Sequence, residues 1–205
     1  KQKLENLDKY EERFHEAEEN LKKSREELET VSYKLSVIRQ KYSQMLTDKI
    51  TEGLKDLNFL DVQFQITFRR RKEYTAGGFD DIEYEISTNP GESLKPLGKI
   101  VSGGELSRIM LAIKAILADR DQIETLIFDE IDTGISGRTA QKVSEKMAVI
   151  GRCHQVLCIT HLPQIAAMAD THFEIEKHQK DNETITEIHP LEGDDSVREL
   201  ARLLG

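Results

Sequence analysis

Two adjacent carboxylates, Asp129 and Glu130, follow a short apolar run that ends at Phe128. An apolar strand of this kind would place both acids at the carboxyl edge of a sheet, where the ligands of open α/β folds bind. One carboxylate can hold Mg²⁺, commonly through water, while its neighbour polarises an attacking water molecule. A pair of solvated acids at the end of a strand explains these two residues equally well when they are considered alone.

A glycine-serine turn precedes the acidic pair, and its sequence is Ser102-Gly103-Gly104-Glu105-Leu106-Ser107. The two glycines would let backbone N–H groups approach an anion, the serine adds a hydroxyl donor, and a helix N-terminus carries positive dipole character. This composition suits a phosphate group. A serine N-cap with a flexible Gly-Gly entry explains the same residues, and this capping interpretation is favoured when the turn is considered by itself.

A third polar group, Thr160-His161, follows the apolar run that ends at Ile159 and would reach the same sheet edge. A histidine in this place could donate a hydrogen bond to a terminal phosphate, although a lone histidine is more often structural. The glycine-rich loop Asp132–Gly137 suits a turn close to a nucleotide, and also an ordinary turn. A rival interpretation makes a zinc site of four residues, but their spacing matches no standard motif: Cys153, His154, Cys158 and His161.

The elements that would position these groups alternate between helices and strands. The pattern predicts a helix over Leu106–Leu117, a strand over Leu126–Phe128, a helix over Arg138–Ile150 and a strand over Val156–Ile159. Strand, helix and strand in this order imply parallel pairing and an α/β fold. Two hairpins and a closing helix from about Ser196 complete the prediction, with strands over 62–68 and 82–86 and over 173–175 and 184–188.

The N-terminal segment has the pattern of a coiled coil. It contains no Gly or Pro before Gly53, and two apolar series repeat every seven residues. Their spacing predicts one long helix of about 75 Å whose apolar seam needs a partner helix. A plain dimerisation coil has the same pattern. The series are Leu7, Phe14, Leu21, Leu28, Leu35 and Tyr42, and Tyr10, Ala17, Ser24, Val31, Ile38 and Met45. We therefore divide the chain into a coiled-coil arm (1–52) and a globular lobe (53–205).

Composition limits the class of protein. The 205 residues carry a net charge of −9, and 33% of them are charged. No apolar run reaches the roughly 18 residues of a membrane span, so we expect a cytoplasmic protein without a membrane partner. Because the chain opens with Lys1 rather than Met, we expect it to be a piece of a longer protein. One dense basic run, Arg69-Arg70-Arg71-Lys72, could neutralise phosphates of DNA, but a solvated hairpin end is favoured in so acidic a chain.

The order of these motifs resembles the distal half of an ABC-type ATPase head, the C-terminal lobe of a P-loop NTPase of that class. Four stretches carry the resemblance: Val101–Glu105 is similar to the signature motif, Leu126–Glu130 to Walker B, Asp132–Gly137 to the D-loop and His161 to the switch histidine. The long coiled coil before this lobe resembles the SMC-like branch. Further stretches resemble a bacterial DNA repair ATPase of that branch, namely Ser87–Glu92, Ser102–Met110, Asp129–Gly137 and Cys158–Ala166.

The resemblance implies a C-terminal half of an ATPase of DNA double-strand break repair and recombination. No P-loop is present, because the nearest approach, Gly98-Lys99-Ile100, lacks the upstream glycine and the hydroxyl. In the resembled family the P-loop lies in the N-terminal half, together with the helix that pairs with the arm. That half is therefore an implied partner, and we expect this chain to be inactive alone.

The resemblance also implies roles for individual residues. Two heads would close as a homodimer on ATP, with Ser102, Gly103, Gly104 and Glu105 facing nucleotide bound to the opposite subunit. Within one head, Asp129 would organise Mg²⁺, Glu130 would act as general base, His161 would contact the γ-phosphate and Asp132 would help to connect the two sites. Hydrolysis would then control DNA binding or tethering. Three alternatives stay open: another SMC-like or zinc-hook repair ATPase, an ABC transporter nucleotide-binding subunit, and a purely structural coiled-coil protein.

Overall fold

The computed structural model describes the backbone of residues 2–180 and 183–205, and the side chains of residues 10–179 and 184–205. Five α-helices are present in this part of the chain: α1 (Gln2–Asp56), α2 (Gly103–Leu117), α3 (Gly137–Gly151), α4 (Pro163–Ala166) and α5 (Asp194–Leu204). The strands are β1 (Gln63–Thr75), β2 (Gly78–Ser87), β3 (Lys95–Pro96), β4 (Thr125–Phe128), β5 (Gln155–Cys158), β6 (His172–Lys180) and β7 (Glu183–Leu191).

The chain divides into two compact units. The first contains the chain up to Thr47 together with Gln65–Glu85, and the second contains Asp48–Phe64 and Ile86–Gly205. Strands β1 and β2 are joined by only Ala76-Gly77, which requires antiparallel pairing and confirms the predicted hairpin. They form a three-stranded sheet in the order β1-β2-β3. The strands are longer than predicted because the polar residues 69–75 also pair.

In the first unit, the hairpin is attached to one face of α1 by polar side chains. Asp80 accepts hydrogen bonds from Ser36 at 2.7 Å and from Arg39 at 2.8 Å. Arg39 also donates to the carbonyl of Gly77, and the backbone of Gly78 lies against Ser32. Because Ser32 and Ser36 are buried, this face of the helix is unavailable to a partner helix.

The basic run on β1 is paired with acidic groups of the same unit. Arg69 lies 3.6 Å from Glu83, Arg71 lies 2.5 Å from Asp81, and Arg70 donates two hydrogen bonds to Glu29. Hydrogen bonds from Tyr74 and then Arg70 lower the pKa of Glu29. These pairs neutralise three charges of the run within the chain, in agreement with the hairpin-end interpretation.

The apolar seam of the arm is exposed along the described side chains. Leu7, the first member of the heptad series, lies outside the described side chains. Of the other members, Leu35 is half-buried, whereas eight large apolar or aromatic side chains are exposed: Tyr10, Phe14, Leu21, Leu28, Val31, Ile38, Tyr42 and Met45. A row of this length in contact with water is typical of a helix that has lost a coiled-coil partner.

In the second unit, β4 and β5 pair in parallel, with Thr125 opposite Gln155 and Phe128 opposite Cys158. Helix α3 forms the crossover between them, which confirms the predicted strand, helix and strand. The core lies where α2 and α3 pack together, and these side chains are fully buried: Ile109, Leu111, Val143 and Ile150. Two carboxyl-terminal strand ends therefore lie side by side, as the site prediction requires.

Helix α1 continues through Gly53 to Asp56, four residues beyond the predicted end of the arm. A helical glycine costs about 1 kcal/mol relative to alanine. Here Ile50 and Leu54 are fully buried on the same segment, and Gly53 itself faces Ala112 of α2. The burial of these apolar side chains offsets the cost and extends the helix.

The C-terminal part contains the predicted second hairpin and closing helix. Strands β6 and β7 are antiparallel, with Ile175 opposite Ile188, and α5 begins at Asp194 rather than near Ser196. His172 accepts a hydrogen bond from Ser196 at one ring nitrogen and donates from the other to the carbonyl of Ala166 at 2.5 Å. This histidine fastens α4 and α5 to β6. Within the described residues, no helix is long and apolar enough to cross a membrane.

Candidate functional site

The two carboxylates, Asp129 and Glu130, follow the last residue of β4 and are exposed. The N–H of Glu130 donates to the Asp129 carboxylate at 2.9 Å, and the backbone of Glu130 is left-handed, with φ 55°. A left-handed non-glycine residue is strained by about 1–2 kcal/mol. Surrounding contacts therefore have to hold Glu130 in place.

The N-terminus of α2 packs directly against this turn. A Cβ at Gly103 would collide with the carboxylate of Glu130, and a Cβ at Gly104 would lie 2.9 Å from the carbonyl oxygen of Glu130 and 2.9 Å from Cβ of Thr133. At Gly104 only glycine allows this approach, because the neighbouring atoms include backbone, whereas at Gly103 the flexible side chain of Glu130 would have to move. The hydroxyl of Ser102 accepts a long hydrogen bond of 3.4 Å from the N–H of Glu105, as the capping interpretation expects.

Two residues of α2 that the sequence analysis did not single out fasten the helix to the same turn. Ser107 donates to the carbonyl of Asp129 at 2.8 Å. Arg108 donates to the carbonyl of Thr133 at 2.8 Å and approaches the carbonyl of Ile131 at 3.4 Å. In the sequence both belong to the stretch Ser102–Met110, but no separate signal distinguished them from their neighbours. They hold both sides of Glu130 and Asp132.

Arg108 is itself buried. Its guanidinium lies over the ring of Phe59, 5.5 Å from the ring centroid, and its Nε has no hydrogen-bond partner among the described residues. Burial lowers the pKa of Arg108, opposed by the charge of Glu105. An arginine remains protonated at neutral pH even so, and its charge strengthens the hydrogen bonds to the two carbonyls.

Asp132 lies behind the exposed pair and joins it to the loop that follows β5. Its buried carboxylate accepts hydrogen bonds from the hydroxyl of Thr160 at 2.6 Å and from the N–H of His161 at 2.8 Å. Nδ1 of His161 lies 3.0 Å from the same oxygen, while 72% of the His161 side chain is exposed. The sequence predicted Thr160 only as part of a strand end. In the structure its hydroxyl joins the loop after β5 to Asp132.

The residues of the rival zinc interpretation do not converge. His154 is buried with its two ring nitrogens at 2.6 and 2.9 Å from the carbonyls of Ile123 and Ala118. Burial, with the charges of Asp132 and Asp129, raises the pKa of the Cys158 thiol to about 12. A thiol in this state is a poor zinc ligand. The described residues contain no group of three or more His, Cys, Asp or Glu side chains that could hold a metal.

The chemistry of the exposed donors fits a magnesium nucleotide better than a soft metal. Mg²⁺ prefers oxygen ligands, keeps several waters, and is commonly held by one or two carboxylates together with phosphate oxygens. Asp129 and Glu130 offer such oxygens at an open sheet edge, and His161 is exposed beside them. These residues do not form a complete cage, so a metal ion held here would need further oxygen ligands from outside the described side chains.

The parallel sheet is uncovered on the side of Ile127, Leu157 and Ile159. These three side chains are exposed although they belong to or directly follow β4 and β5. Parallel sheets are nearly always buried on both faces. This apolar face is therefore available for another layer of protein to cover.

Comparisons with known proteins agree with this architecture. No protein-family model matches the chain. Two solved structures show the fold: an Smc head domain with a coiled coil and joint from Pyrococcus yayanosii (TM-score 0.55, 19% identity, 82% of this chain and 30% of that chain), and an Smc head domain with an extended coiled coil, bound to the C-terminal domain of ScpA, from Pyrococcus furiosus (TM-score 0.53, 18% identity, 84% and 41%).

Curated relatives are more similar in sequence. The chain is 43% identical over 196 residues to the DNA repair protein RecN of Halalkalibacterium halodurans, covering 94% of this chain and 35% of that protein. It is 44% identical over 185 residues to RecN of Bacillus subtilis, covering 83% and 32%. The chain thus spans about a third of the length of the curated relatives it matches. With the SMC-type fold and the site described above, this similarity shows that the chain belongs to the RecN family.

Proposed function

We propose that this chain is the C-terminal part of an SMC-like ATPase that acts in DNA double-strand break repair and recombination. The observation that carries the proposal is the convergence of three groups at one sheet edge: the Asp129-Glu130 pair, the N-terminus of α2 and the Thr160-His161 loop. RecN proteins, its relatives, are described as DNA repair proteins. A bacterial protein of this function would act on DNA in the cytoplasm.

The proposed reaction is Mg²⁺-dependent ATP hydrolysis, in which the bound ion supplies charge neutralisation and orientation of the phosphates. Asp129 would hold the ion, commonly through water, because it is the exposed carboxylate at the end of β4. Glu130 would accept a proton from the attacking water as general base. His161 would contact the γ-phosphate from the neighbouring strand end.

The missing P-loop is supplied, in this proposal, by an N-terminal half of the same protein. The exposed apolar face of Ile127, Leu157 and Ile159 supports this partner, because parallel sheets are nearly always covered on both faces and a P-loop lobe would cover this one. A helix of the same half would cover the exposed seam of α1. We keep the division into an arm (1–52) and a lobe (53–205) as part of this proposal.

The signature turn would act on nucleotide held by a second head. Ser102 is the N-cap of α2, and Gly103, Gly104 and Glu105 form its first turn, where backbone N–H groups and the helix dipole favour an anion. Two heads would therefore close on ATP as a homodimer and reopen after hydrolysis. The opening and closing would control how the arms bind or tether DNA.

The test is ATP hydrolysis by the chain with and without a separately produced N-terminal half that carries the P-loop. Activity is expected only in the mixture. Glu130→Gln should lower turnover by about 10²- to 10⁴-fold, the usual contribution of a general base, while ATP binding is retained. Glu124→Gln, an exposed glutamate just before β4, is the matched control and should leave turnover unchanged.

Two results would contradict the proposal. A properly assembled mixture without hydrolysis would remove the catalytic roles of Asp129, Glu130 and His161. Equal losses in Glu130→Gln and Glu124→Gln would show a general effect on folding or assembly rather than loss of a base. A purely structural coiled-coil protein would neither bind nor hydrolyse ATP.

A further inference from the structure

The buried carboxylate of Asp132 has three polar neighbours from one loop. It is 4% exposed and is reached by a hydroxyl, a backbone N–H and a ring nitrogen, all from Thr160 and His161. A buried carboxylate is costly unless it is hydrogen-bonded, so this number of donors around one group is significant. All of these donors belong to the loop that carries His161.

We propose that Asp132 is a positioning residue for His161 and that Thr160 shares this task, an inference that rests on the proposed ATPase function. Asp132 fixes the imidazole through Nδ1, and Thr160 fixes the loop on which the imidazole stands. In this role Asp132 acts within its own head and does not touch the nucleotide.

The distance of 3.0 Å between Nδ1 of His161 and the carboxylate of Asp132 supports the assignment. A histidine whose Nδ1 donates to a carboxylate presents only Nε2 to a ligand, and a carboxylate partner of this kind sets both the tautomer and the orientation of the ring. To donate from Nε2 to a phosphate oxygen, the ring has to carry both protons. Asp132 then lies in the place of the counter-charge, 3.0 Å from Nδ1.

The loop is held on both sides of the histidine. The hydroxyl of Thr160 donates to Asp132 and accepts from the N–H of Leu162 at 3.0 Å, so residues 160, 161 and 162 are all tied to one point. The backbone around Asp132 is held as well, because Arg108 donates hydrogen bonds to the carbonyls of Ile131 and Thr133 on either side of it. An exposed histidine thereby gains a defined position without being buried itself.

The experiment measures kcat and KM for ATP in the complete protein, with both halves present. Asp132→Ala is expected to lower kcat by about 10- to 100-fold through misplacement of His161, with KM changed less than threefold. Thr160→Val should lower kcat in the same direction, whereas Thr160→Ser, which keeps the hydroxyl, should restore it. The decisive variant is the double substitution of Asp132 and His161 by Ala, which should be no slower than His161→Ala alone.

Several outcomes would overturn the proposal. Multiplicative losses in the double variant would show that Asp132 acts independently of His161. An unchanged kcat in Asp132→Ala would show that Asp132 does not position His161. A Thr160→Ser variant as slow as Thr160→Val would show that the hydroxyl of Thr160 has no such role. The isosteric Thr160→Val keeps the test informative if Asp132→Ala fails to fold.

A second measurement separates this proposal from the ATPase function. The ¹⁵N resonances of the His161 ring in the complete protein report which nitrogen carries the proton. In the nucleotide-free protein Nδ1 is expected to carry a proton next to Asp132. In Asp132→Ala the neutral ring should instead carry its proton mainly on Nε2, as in a free histidine. A wild-type protein without turnover would refute the proposed function, and the ring spectrum would still decide whether Asp132 holds His161.

Discussion

Arg108→Ala is the substitution for which the structure makes the sharpest stability prediction. The guanidinium is buried between α2 and the turn after β4. It donates hydrogen bonds to the carbonyls of Thr133 and Ile131 and lies over the ring of Phe59. Alanine would remove all three contacts and leave a cavity.

The magnitude follows from the individual contacts. A hydrogen bond to a charged group contributes about 1.5–3 kcal/mol, and a cation–π contact contributes about 0.5–2 kcal/mol. The cost of burying the guanidinium, whose Nε lacks a partner among the described residues, offsets part of this gain. We therefore expect a net loss of about 3 kcal/mol, which lowers the Tm by about 6–12 °C in a protein of this size.

The assay is differential scanning calorimetry of the purified chain, combined with amide hydrogen exchange of the turn at residues 131–133. Arg108→Met retains most of the packing and loses the hydrogen bonds, so its Tm should fall by an intermediate amount. Arg152→Ala, an exposed arginine just after α3, is the matched control and should change the Tm by less than about 2 °C.

The reasoning would be refuted by an Arg108→Ala chain with the Tm of the unsubstituted protein. It would also be refuted by a loss in Arg152→Ala of the same size, because the effect would then come from charge and not from burial. Faster exchange confined to residues 131–133 in Arg108→Ala would instead confirm that this side chain holds the turn.

Three further predictions concern other parts of the second unit. The pKa of Asp121 is lowered, first by the hydrogen bond from Lys114 of α2. This carboxylate therefore stabilises the fold above its ordinary pKa of 3.8, and the stabilisation is lost as the pH falls through the lowered pKa. In urea unfolding, Asp121→Asn should be less stable than wild type at pH 7 and equally stable at a pH below the lowered pKa. A thiol reagent at pH 8 should label exposed Cys153 rapidly and Cys158 only after unfolding, since the pKa of Cys158 is about 12; two equally fast thiols would contradict this. Gly104→Ala should destabilise the chain by about 1–3 kcal/mol because its Cβ would press on the turn after β4, whereas Gly151→Ala, with open space around it, should be neutral or slightly stabilising in the same thermal scan.

The fold was largely accessible from the sequence. Helix and strand periods, and the breaks between them, predicted the long helix, both hairpins and the parallel pair, because these depend on local spacing. Boundaries were less accurate: α1 passes through Gly53, and β1 continues over Arg69-Arg70-Arg71-Lys72. In both places tertiary contacts outweigh local preference, namely burial of Ile50 and Leu54 in the first and ion pairs in the second.

The motifs of the candidate site could be predicted from the sequence, but the hydrogen bonds that join them could not. Residue types, their order along the chain and the family resemblance together pointed to Asp129, Glu130 and His161. Arg108 and Thr160 were marked only as members of the motifs Ser102–Met110 and Thr160-His161, since an arginine inside a helix and a threonine after a strand are ordinary residues. Their importance comes from carbonyl and carboxylate partners that lie more than 20 residues away in the chain.

The amino-acid sequence by itself determined the order of the elements, the seam of the arm and the chemical types gathered at the sheet edge. These properties follow from periodicity and composition, which any local segment carries. The tertiary structure alone decided that the glycines of α2 press against Glu130, that Asp132 faces the loop of His161, and that one face of the parallel sheet stays open. Such contacts join distant segments, and only packing selects which of the many possible partners meet.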